Sequence, residues 1–109
     1  MLIEKIKQTN FEAKVLASSI PVMVIFYAAW CNPCRLLAPS LEELALENTE
    51  RVVFYSVDTD ENPALIKKYG IRDLPAFLFF KNGKLELFEK GQKSKLKLQS
   101  LLDILLLSE

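Results

Sequence analysis

Residues 22–35 decide the fold, and they read VMVIFYAAWCNPCR. The run from Val22 to Tyr27 is apolar and rich in β-branched residues, which predicts a strand buried on both faces. A helix is expected directly after Cys31, because apolar residues recur there at helical spacing. These residues are Leu37, Leu41, Leu44 and Ala45. The segment therefore predicts a strand that passes into a helix, with two cysteines at the junction.

The flanking sequence predicts further strands and helices in alternation. Before residue 22 we expect a strand over Leu2–Lys7, then a helix from the capping-box sequence Thr9-Asn10-Phe11-Glu12 to about Ala17. After the helix that follows Cys31 we expect strand Val52–Val57 and then a helix from Pro63 to its cap Gly70. Next we expect strand Phe77–Phe80, the turn Asn82-Gly83, strand Lys84–Phe88 and a last helix capped by Ser94. The last helix buries Leu98, Leu101, Leu102 and Leu105. Together these elements predict one α/β domain over residues 1–109, a mixed sheet with helices on both faces.

Composition and charge exclude several classes of protein. Half of the 109 residues are hydrophobic, which supports a real core. Fourteen basic residues balance fourteen acidic ones, so the excess of positive charge expected of a nucleic-acid binder is missing. No apolar run is long enough to span a bilayer, and the N-terminal residues alternate charged and apolar types, unlike a secretory signal. We therefore expect a cytoplasmic protein that binds neither nucleic acid nor membrane.

The cysteine pair is the one reactive constellation in this sequence. The chain has two cysteines and no histidine, so it supplies neither a four-ligand zinc site nor a histidine base for a hydrolase. Cys31 lies where a helix N-terminus favours a thiolate, which lowers the pKa of its thiol. Cys34 follows nearly one turn later, with Asn32 and Pro33 between them. The spacing predicts thiol–disulfide exchange, in which Cys31 attacks a partner's disulfide and Cys34 resolves the mixed disulfide.

Three other interpretations of the pair compete with redox exchange. A structural disulfide would close only a tiny loop, so it would stabilise the fold little. Half of a metal or iron–sulfur site shared between two chains is a second interpretation, and a pair of inert buried thiols is a third. The strand before the pair and the helix after it favour redox exchange.

The cysteine segment resembles the active-site segment of the thioredoxin family. The resemblance begins with Ala29-Trp30-Cys31-Asn32-Pro33-Cys34-Arg35 and keeps the family's order and spacing across essentially the whole chain. It continues with Asp60-Glu61-Asn62-Pro63, Lys68-Tyr69-Gly70-Ile71-Arg72, Leu74-Pro75, Phe80-Lys81-Asn82-Gly83 and Gly91. The family's fold agrees with the element order predicted above.

The resemblance implies roles that spacing alone does not. Pro75 matches the family's cis-proline beside the cysteine pair. The backbone at Leu74 would pair with an extended substrate peptide as an added strand. Trp30, Ala76 and Gly91 would border the same shallow apolar groove. Alternatively, Trp30 only covers the helix start, Pro75 only shapes the entry to a strand, and Ala76 and Gly91 have no role in binding.

Four positions depart from the family's pattern, and the mildest is Tyr27, an aromatic residue where many members carry tryptophan. Asn32 replaces the usual glycine of the active-site turn. Ile25 stands where the family carries a buried acid, and Ser56 stands where a lysine usually neighbours that acid. Losing both partners avoids an uncompensated buried charge. The resemblance implies that this acid helps proton transfer at the second cysteine, so we expect slower resolution at Cys34.

The leading functional prediction is a protein-disulfide reductase that needs no dissociable cofactor and binds no metal. The resemblance implies an NADPH-dependent thioredoxin reductase as electron donor and protein disulfides as substrates. One alternative is a specialised thioredoxin-like oxidoreductase with few partners. Another is a peptide-binding module that uses the groove near Trp30 and Pro75 without turnover. Ile104 and Leu107 extend beyond the predicted core stripe, where a small dimer contact is conceivable, but we expect a monomer.

Overall fold

The computed structural model describes residues 3–107. Within this part of the chain, five strands and three α-helices alternate with one π-helix and one 3₁₀ turn. In chain order the elements are β1 (Glu4–Lys5), the π-helix (Glu12–Leu16), β2 (Val22–Tyr27), α1 (Asn32–Glu47), β3 (Val53–Asp58), the 3₁₀ turn (Thr59–Glu61), α2 (Pro63–Tyr69), β4 (Ala76–Lys81), β5 (Lys84–Lys90) and α3 (Lys95–Leu107). No helix among residues 3–107 combines the length and the apolar character needed to cross a membrane.

The strands form one mixed sheet in the order β1-β3-β2-β4-β5. β2 lies at the centre, where it pairs in parallel with β3 and antiparallel with β4. β1 extends the parallel half of the sheet, and β5 closes the antiparallel half as a hairpin with β4. A central strand has neighbours on both edges and cores on both faces, which is why Val22 to Phe26 are all buried.

Two apolar cores cover the two faces of the sheet, as predicted for helices on both sides. On one face α1 and α3 pack against Ile25 and Phe77. On the other face the π-helix and α2 pack against Val24 and Leu78. Neighbouring strand residues thus enter opposite cores, as the two-residue period of a strand requires. The eight predicted helix residues Leu37, Leu41, Leu44, Ala45, Leu98, Leu101, Leu102 and Leu105 are all buried in the first core.

Local signals of the sequence are confirmed at the turns and caps. Pro63 begins α2, and Gly70 ends it in the left-handed conformation with φ +65°. Asn82 and Gly83 both have positive φ, as the tight turn between β4 and β5 requires. The Ser94 hydroxyl accepts a hydrogen bond from the Lys97 N–H at 3.0 Å, so it caps α3.

The N-terminal helix differs from its prediction. The proposed capping box is wrong, because the π-helix begins after Phe11 and no side chain caps it. The side chain of Asn10 instead accepts a hydrogen bond from the Lys7 N–H at 2.8 Å, which closes a turn before the helix. Phe11 and Val15 are nevertheless buried, as their shared apolar face predicted.

Several strand boundaries also differ from their predictions. β4 covers Ala76–Lys81 rather than Phe77–Phe80, and β5 runs two residues further, to Lys90. β1 covers only Glu4–Lys5, while Leu2 at the start of the predicted range lies outside the described residues. β3 begins at Val53 because the Val52 N–H is used in the preceding turn, where it donates to the Asn48 carbonyl at 3.1 Å.

Candidate active site

Three segments meet at one edge of the sheet, beyond the carboxyl end of β2. Cys31 follows β2 after a short turn. β4 runs antiparallel to β2, and the pairing of Phe26 with Ala76 brings Pro75, the residue before β4, to the same edge. β5 ends there as well, and the Gly91 N–H donates to the Pro75 carbonyl at 2.8 Å. Strand register therefore gathers Cys31, Pro75 and Gly91, which are far apart in the sequence.

The cysteine pair occupies the start of α1. Cys31 is the N-cap residue, with extended backbone, and its sulfur accepts a hydrogen bond from the Cys34 N–H at 3.3 Å. The two sulfurs form a disulfide, with the Cα atoms 5.3 Å apart. Cys31 is 4% exposed and Cys34 is 8% exposed, so exposure does not separate their roles. Cys31 is nevertheless the better placed of the two to hold negative charge, because its sulfur lies at the helix N-terminus and accepts the Cys34 N–H.

The residues between the cysteines fill the first turn of α1. Asn32 is exposed, and its Oδ1 accepts a hydrogen bond from Arg35 Nη2 at 2.7 Å. Pro33 is half-buried and suits the first turn, where its missing N–H leaves no helical hydrogen bond unmade. The influence of Asn32 and Pro33 on exchange stays a prediction. In the described part of the chain, no group of three or more Cys, Asp or Glu side chains is arranged to hold a metal ion.

Trp30 stands next to the pair and is 69% exposed. Its indole Nε1 donates to Asp60 Oδ2 at 3.1 Å, which ties the ring to the 3₁₀ turn after β3. The Asp58 side chain in turn accepts from the Asp60 N–H at 2.9 Å, so the turn that carries Asp60 is itself braced. Sequence reasoning did not assign Asp60 this contact. The signal was available, because parallel β2 and β3 end at the same edge.

The predicted groove residues lie close together but differ in exposure. The Leu74–Pro75 peptide bond is cis, and Leu74 is half-buried against the cysteine cluster of Ala28, Cys31 and Cys34. Gly91 is half-buried at the end of β5. Ala76 has no exposed surface and belongs to the second core, on the side of the π-helix and α2. Contact of these residues with a substrate stays a prediction.

A cavity of about 600 Å³ lies behind the pair and reaches Cys34. Ile25 and Ser56 contribute to its wall, and they are direct neighbours in the parallel pairing of β2 with β3. Ile25 is only 3% exposed and packs in the first core. The departures at positions 25 and 56 therefore meet in space beside Cys34, as an aliphatic and a hydroxyl side chain where the resemblance implies a charged pair.

Tyr27 and Lys5 form a polar border that sequence reasoning missed. Tyr27 lines the cavity, and burial raises the pKa of its phenol above the usual value of 10.0, although the positive charge of Lys5 opposes that rise. Lys5 forms an ion pair with Glu61 at 3.1 Å. In the sheet Lys5 is the direct neighbour of Ser56, so β1 contributes a lysine in the same row as Ile25 and Ser56. That neighbourhood depends on the position of β1 in the sheet, which the sequence left open.

Comparison with known proteins assigns the chain to a family. The family model described as thioredoxin matches residues 2–104. The chain is 45% identical over 98 residues to a thioredoxin of Acidithiobacillus ferridurans, which covers 90% of this chain and 91% of that protein. It is 45% identical over 78 residues to thioredoxin 1 of Synechococcus elongatus, covering 72% and 73% of the two chains. It is 43% identical over 81 residues to the chloroplastic M-type thioredoxin of Spinacia oleracea, covering 74% of this chain and 45% of that protein.

The matched span contains every element of the sheet and both cysteines of the site. The fold, the disulfide at a helix N-terminus and the similarity agree with one another. The chain therefore belongs to the thioredoxin family, and its Cys31–Cys34 pair makes it a protein-disulfide reductase.

Proposed function

We propose that the chain reduces protein disulfides in two steps, with Cys31 as nucleophile and Cys34 as resolving cysteine. The Cys31 thiolate attacks one sulfur of the partner's disulfide, forms a mixed disulfide and releases the other partner sulfur as a thiolate, which takes up a proton. Cys34 then loses its proton and attacks the Cys31 sulfur, which releases the second partner thiolate and closes the internal disulfide. The observation that carries the proposal is the N-cap position of Cys31, with the Cys34 N–H directed at its sulfur.

The groove residues would align the substrate for this attack. A peptide that pairs with the backbone at Leu74 would present its disulfide beside Cys31, because Leu74 packs against the cysteine cluster. Trp30 would cover the other side, held by its hydrogen bond to Asp60. Pro75 and Gly91 would form the border of the groove, held in place because the Gly91 N–H donates to the Pro75 carbonyl.

The electron donor we propose is an NADPH-dependent thioredoxin reductase, and the location we propose is the cytoplasm, where thiols are kept reduced. The thioredoxin names of the relatives support this donor. We propose a monomer as the working form. Ile104 and Leu107 are exposed, at 56% and 82%, and provide the surface on which a dimer contact would have to form.

A second candidate function is a specialised oxidoreductase with few partners. Ile25 and Ser56 favour it, because neither side chain can take the Cys34 proton in place of the family's buried acid. Such a protein would form mixed disulfides at a normal rate but resolve them slowly. A partner that itself supplies a base near Cys34 would then be preferred over a generic disulfide.

The test is insulin disulfide reduction in two parallel arms, one driven by NADPH and thioredoxin reductase and one by dithiothreitol. Fast turnover in both arms is the result expected of a general reductase, and Cys31→Ser should abolish it. Activity with dithiothreitol alone would indicate a different, dedicated reductase. A folded protein with titratable thiols and no activity in either arm would refute general reduction and leave the specialised function. Cys34→Ser should trap the mixed disulfide, and its failure to do so would refute the assigned roles.

A further inference from the structure

The cavity behind the active site has a lining suited to an uncharged molecule. Its volume of about 600 Å³ lies within the range of small-molecule sites in proteins, roughly 300–1,000 Å³. Apolar side chains from β2, α1 and the residue before β4 make up most of the wall, among them Ile25, Leu37, Leu41 and Pro75. An apolar wall of this size removes apolar ligand surface from water, which is the main source of affinity in such sites.

The charged side chains of the lining do not favour an ion. Arg35 and Glu42 are its two charged residues, and their opposite charges cancel. Arg35 is exposed and already hydrogen-bonded to Asn32, and Glu42 also has interaction partners. The other polar groups of the wall include the Ser56 hydroxyl and the Tyr27 phenol, each able to make a single directed hydrogen bond with a neutral ligand.

The cavity reaches one residue of the redox pair and not the other. Cys34 is part of its wall, whereas Cys31 is not among the lining residues. In the proposed function a protein substrate approaches along Trp30 and Leu74, which do not line the cavity, whereas Pro75 belongs to both sites. The cavity therefore gives a second approach to the pair. A molecule inside it would touch the resolving cysteine without blocking the nucleophile.

We propose that this cavity is a binding site for a small, uncharged, largely apolar molecule that slows resolution by Cys34. A bound apolar molecule displaces water from around the sulfur, and a thiol in apolar surroundings ionises less readily. Because binding and ionisation are coupled, the ligand binds the disulfide or neutral thiol more tightly than the thiolate. The effect on exchange rests on the proposed roles of the two cysteines, whereas binding itself does not.

Binding is tested with Nile red, an uncharged dye whose emission shifts to shorter wavelength in apolar surroundings, added to the oxidised protein. We expect one saturable site. Ala38→Trp changes an exposed helix residue of the lining and should fill the cavity, weakening binding at least about tenfold, a change worth about 1.4 kcal/mol. Leu46→Trp adds the same side chain to an exposed position of α1 outside the lining and should stay within about twofold of wild type.

Ser56→Leu is the second variant, which fills the wall from β3 and should weaken binding severalfold. If circular dichroism shows that Ala38→Trp is unfolded, dye binding by Ser56→Leu tests the site instead. Dye binding that does not saturate, or an affinity unchanged by the cavity-filling variant that folds, would overturn the site.

The coupling to Cys34 is measured with reduced protein and dithionitrobenzoate, which releases one thionitrobenzoate when Cys31 attacks and a second when Cys34 resolves. Saturating dye should slow the second release at least twofold, leave the first unchanged, and have no effect in Ala38→Trp. A dye that slows the first release equally would place the ligand at the substrate groove and overturn the proposal. An unchanged second release with dye bound would overturn the coupling. A first release that keeps its rate in Cys31→Ser would instead refute the nucleophile assignment of the proposed function.

Discussion

Replacement of Ile25 by aspartate tests whether the missing acid limits exchange. Ile25 is 3% exposed, pairs with Ser56 and Phe77, and lines the cavity that reaches Cys34. A carboxylate there would accept the Cys34 proton, either directly or through one water molecule in the cavity. General bases in proteins contribute roughly 10²–10⁴ in rate, and we expect at least about a tenfold faster second release of thionitrobenzoate near neutral pH.

The same change should destabilise the fold. Removing a buried aliphatic side chain of this size costs about 2–5 kcal/mol, and the desolvated carboxyl group adds to that cost. The open side of the cavity lets water reach the new group, so we expect a total of about 3–5 kcal/mol near neutral pH. A domain of this size is stable by roughly 5–15 kcal/mol, so the variant should still fold.

The pH dependence of stability has a definite sign. Burial raises the pKa of an aspartate at position 25 above its unfolded value of about 3.9. The unfolded chain therefore releases its proton first, and the free energy of unfolding falls as pH rises from about 4 through the folded pKa. Urea unfolding of Ile25→Asp should give greater stability at pH 5 than at pH 8, by roughly 1.4 kcal/mol for each unit by which the folded pKa lies above 5.

Ile25→Asn is the matched control, since it has nearly the same shape and polarity but cannot take a proton. Its stability should be independent of pH in this range, and its second release should remain as slow as that of wild type. Equal release rates in the aspartate and asparagine variants would refute the reasoning that position 25 acts through proton transfer.

Three further changes probe the backbone, an ionisable group and a buried amide. Gly70→Ala should lower the free energy of unfolding by about 1 kcal/mol, because φ is +65° but no atom lies within 4 Å of the added Cβ. Gly83→Ala should lower it more, because its Cβ would lie 2.7 Å from the Leu16 carbonyl oxygen. Equal shifts of the melting temperature in the two variants would contradict this. Burial raises the pKa of Tyr27, so the free energy of unfolding should fall as pH rises through and above 10. In Tyr27→Phe this free energy should fall less steeply with pH, and the control variant Tyr55→Phe should keep the slope of the wild type. Asn62→Ala should lower the free energy of unfolding in urea by about 2–4 kcal/mol. The reason is that the buried amide accepts from the Gln8 N–H at 2.7 Å and donates to the Asp58 carbonyl at 2.8 Å. A loss below about 1 kcal/mol would mean that water replaces both hydrogen bonds.

The local elements could be predicted because their signals are local. Strand β2 is recognisable from six successive apolar residues, and the end of α2 from Gly70, whose left-handed backbone other residues adopt only at a cost. The N-terminal helix is the instructive failure, since Thr9 and Glu12 fit a capping box by type and spacing. The side chain of Asn10 forms a competing hydrogen bond to Lys7, and two such local solutions are hard to rank without the tertiary structure.

The amino-acid sequence by itself determined the chemistry: two cysteines three residues apart at a strand-to-helix junction, without histidine, leave thiol exchange as the favoured reaction. Only the tertiary structure decided the surroundings of that pair. Strand register brings Pro75 and Gly91 to Cys31, joins Trp30 to Asp60, and sets Ile25, Ser56 and Lys5 in one row beside the cavity behind Cys34. The physical reason is that the chemistry of a cysteine depends on its neighbours within one helical turn. Strand register instead depends on how whole strands bury their side chains in the two cores on either face of the sheet.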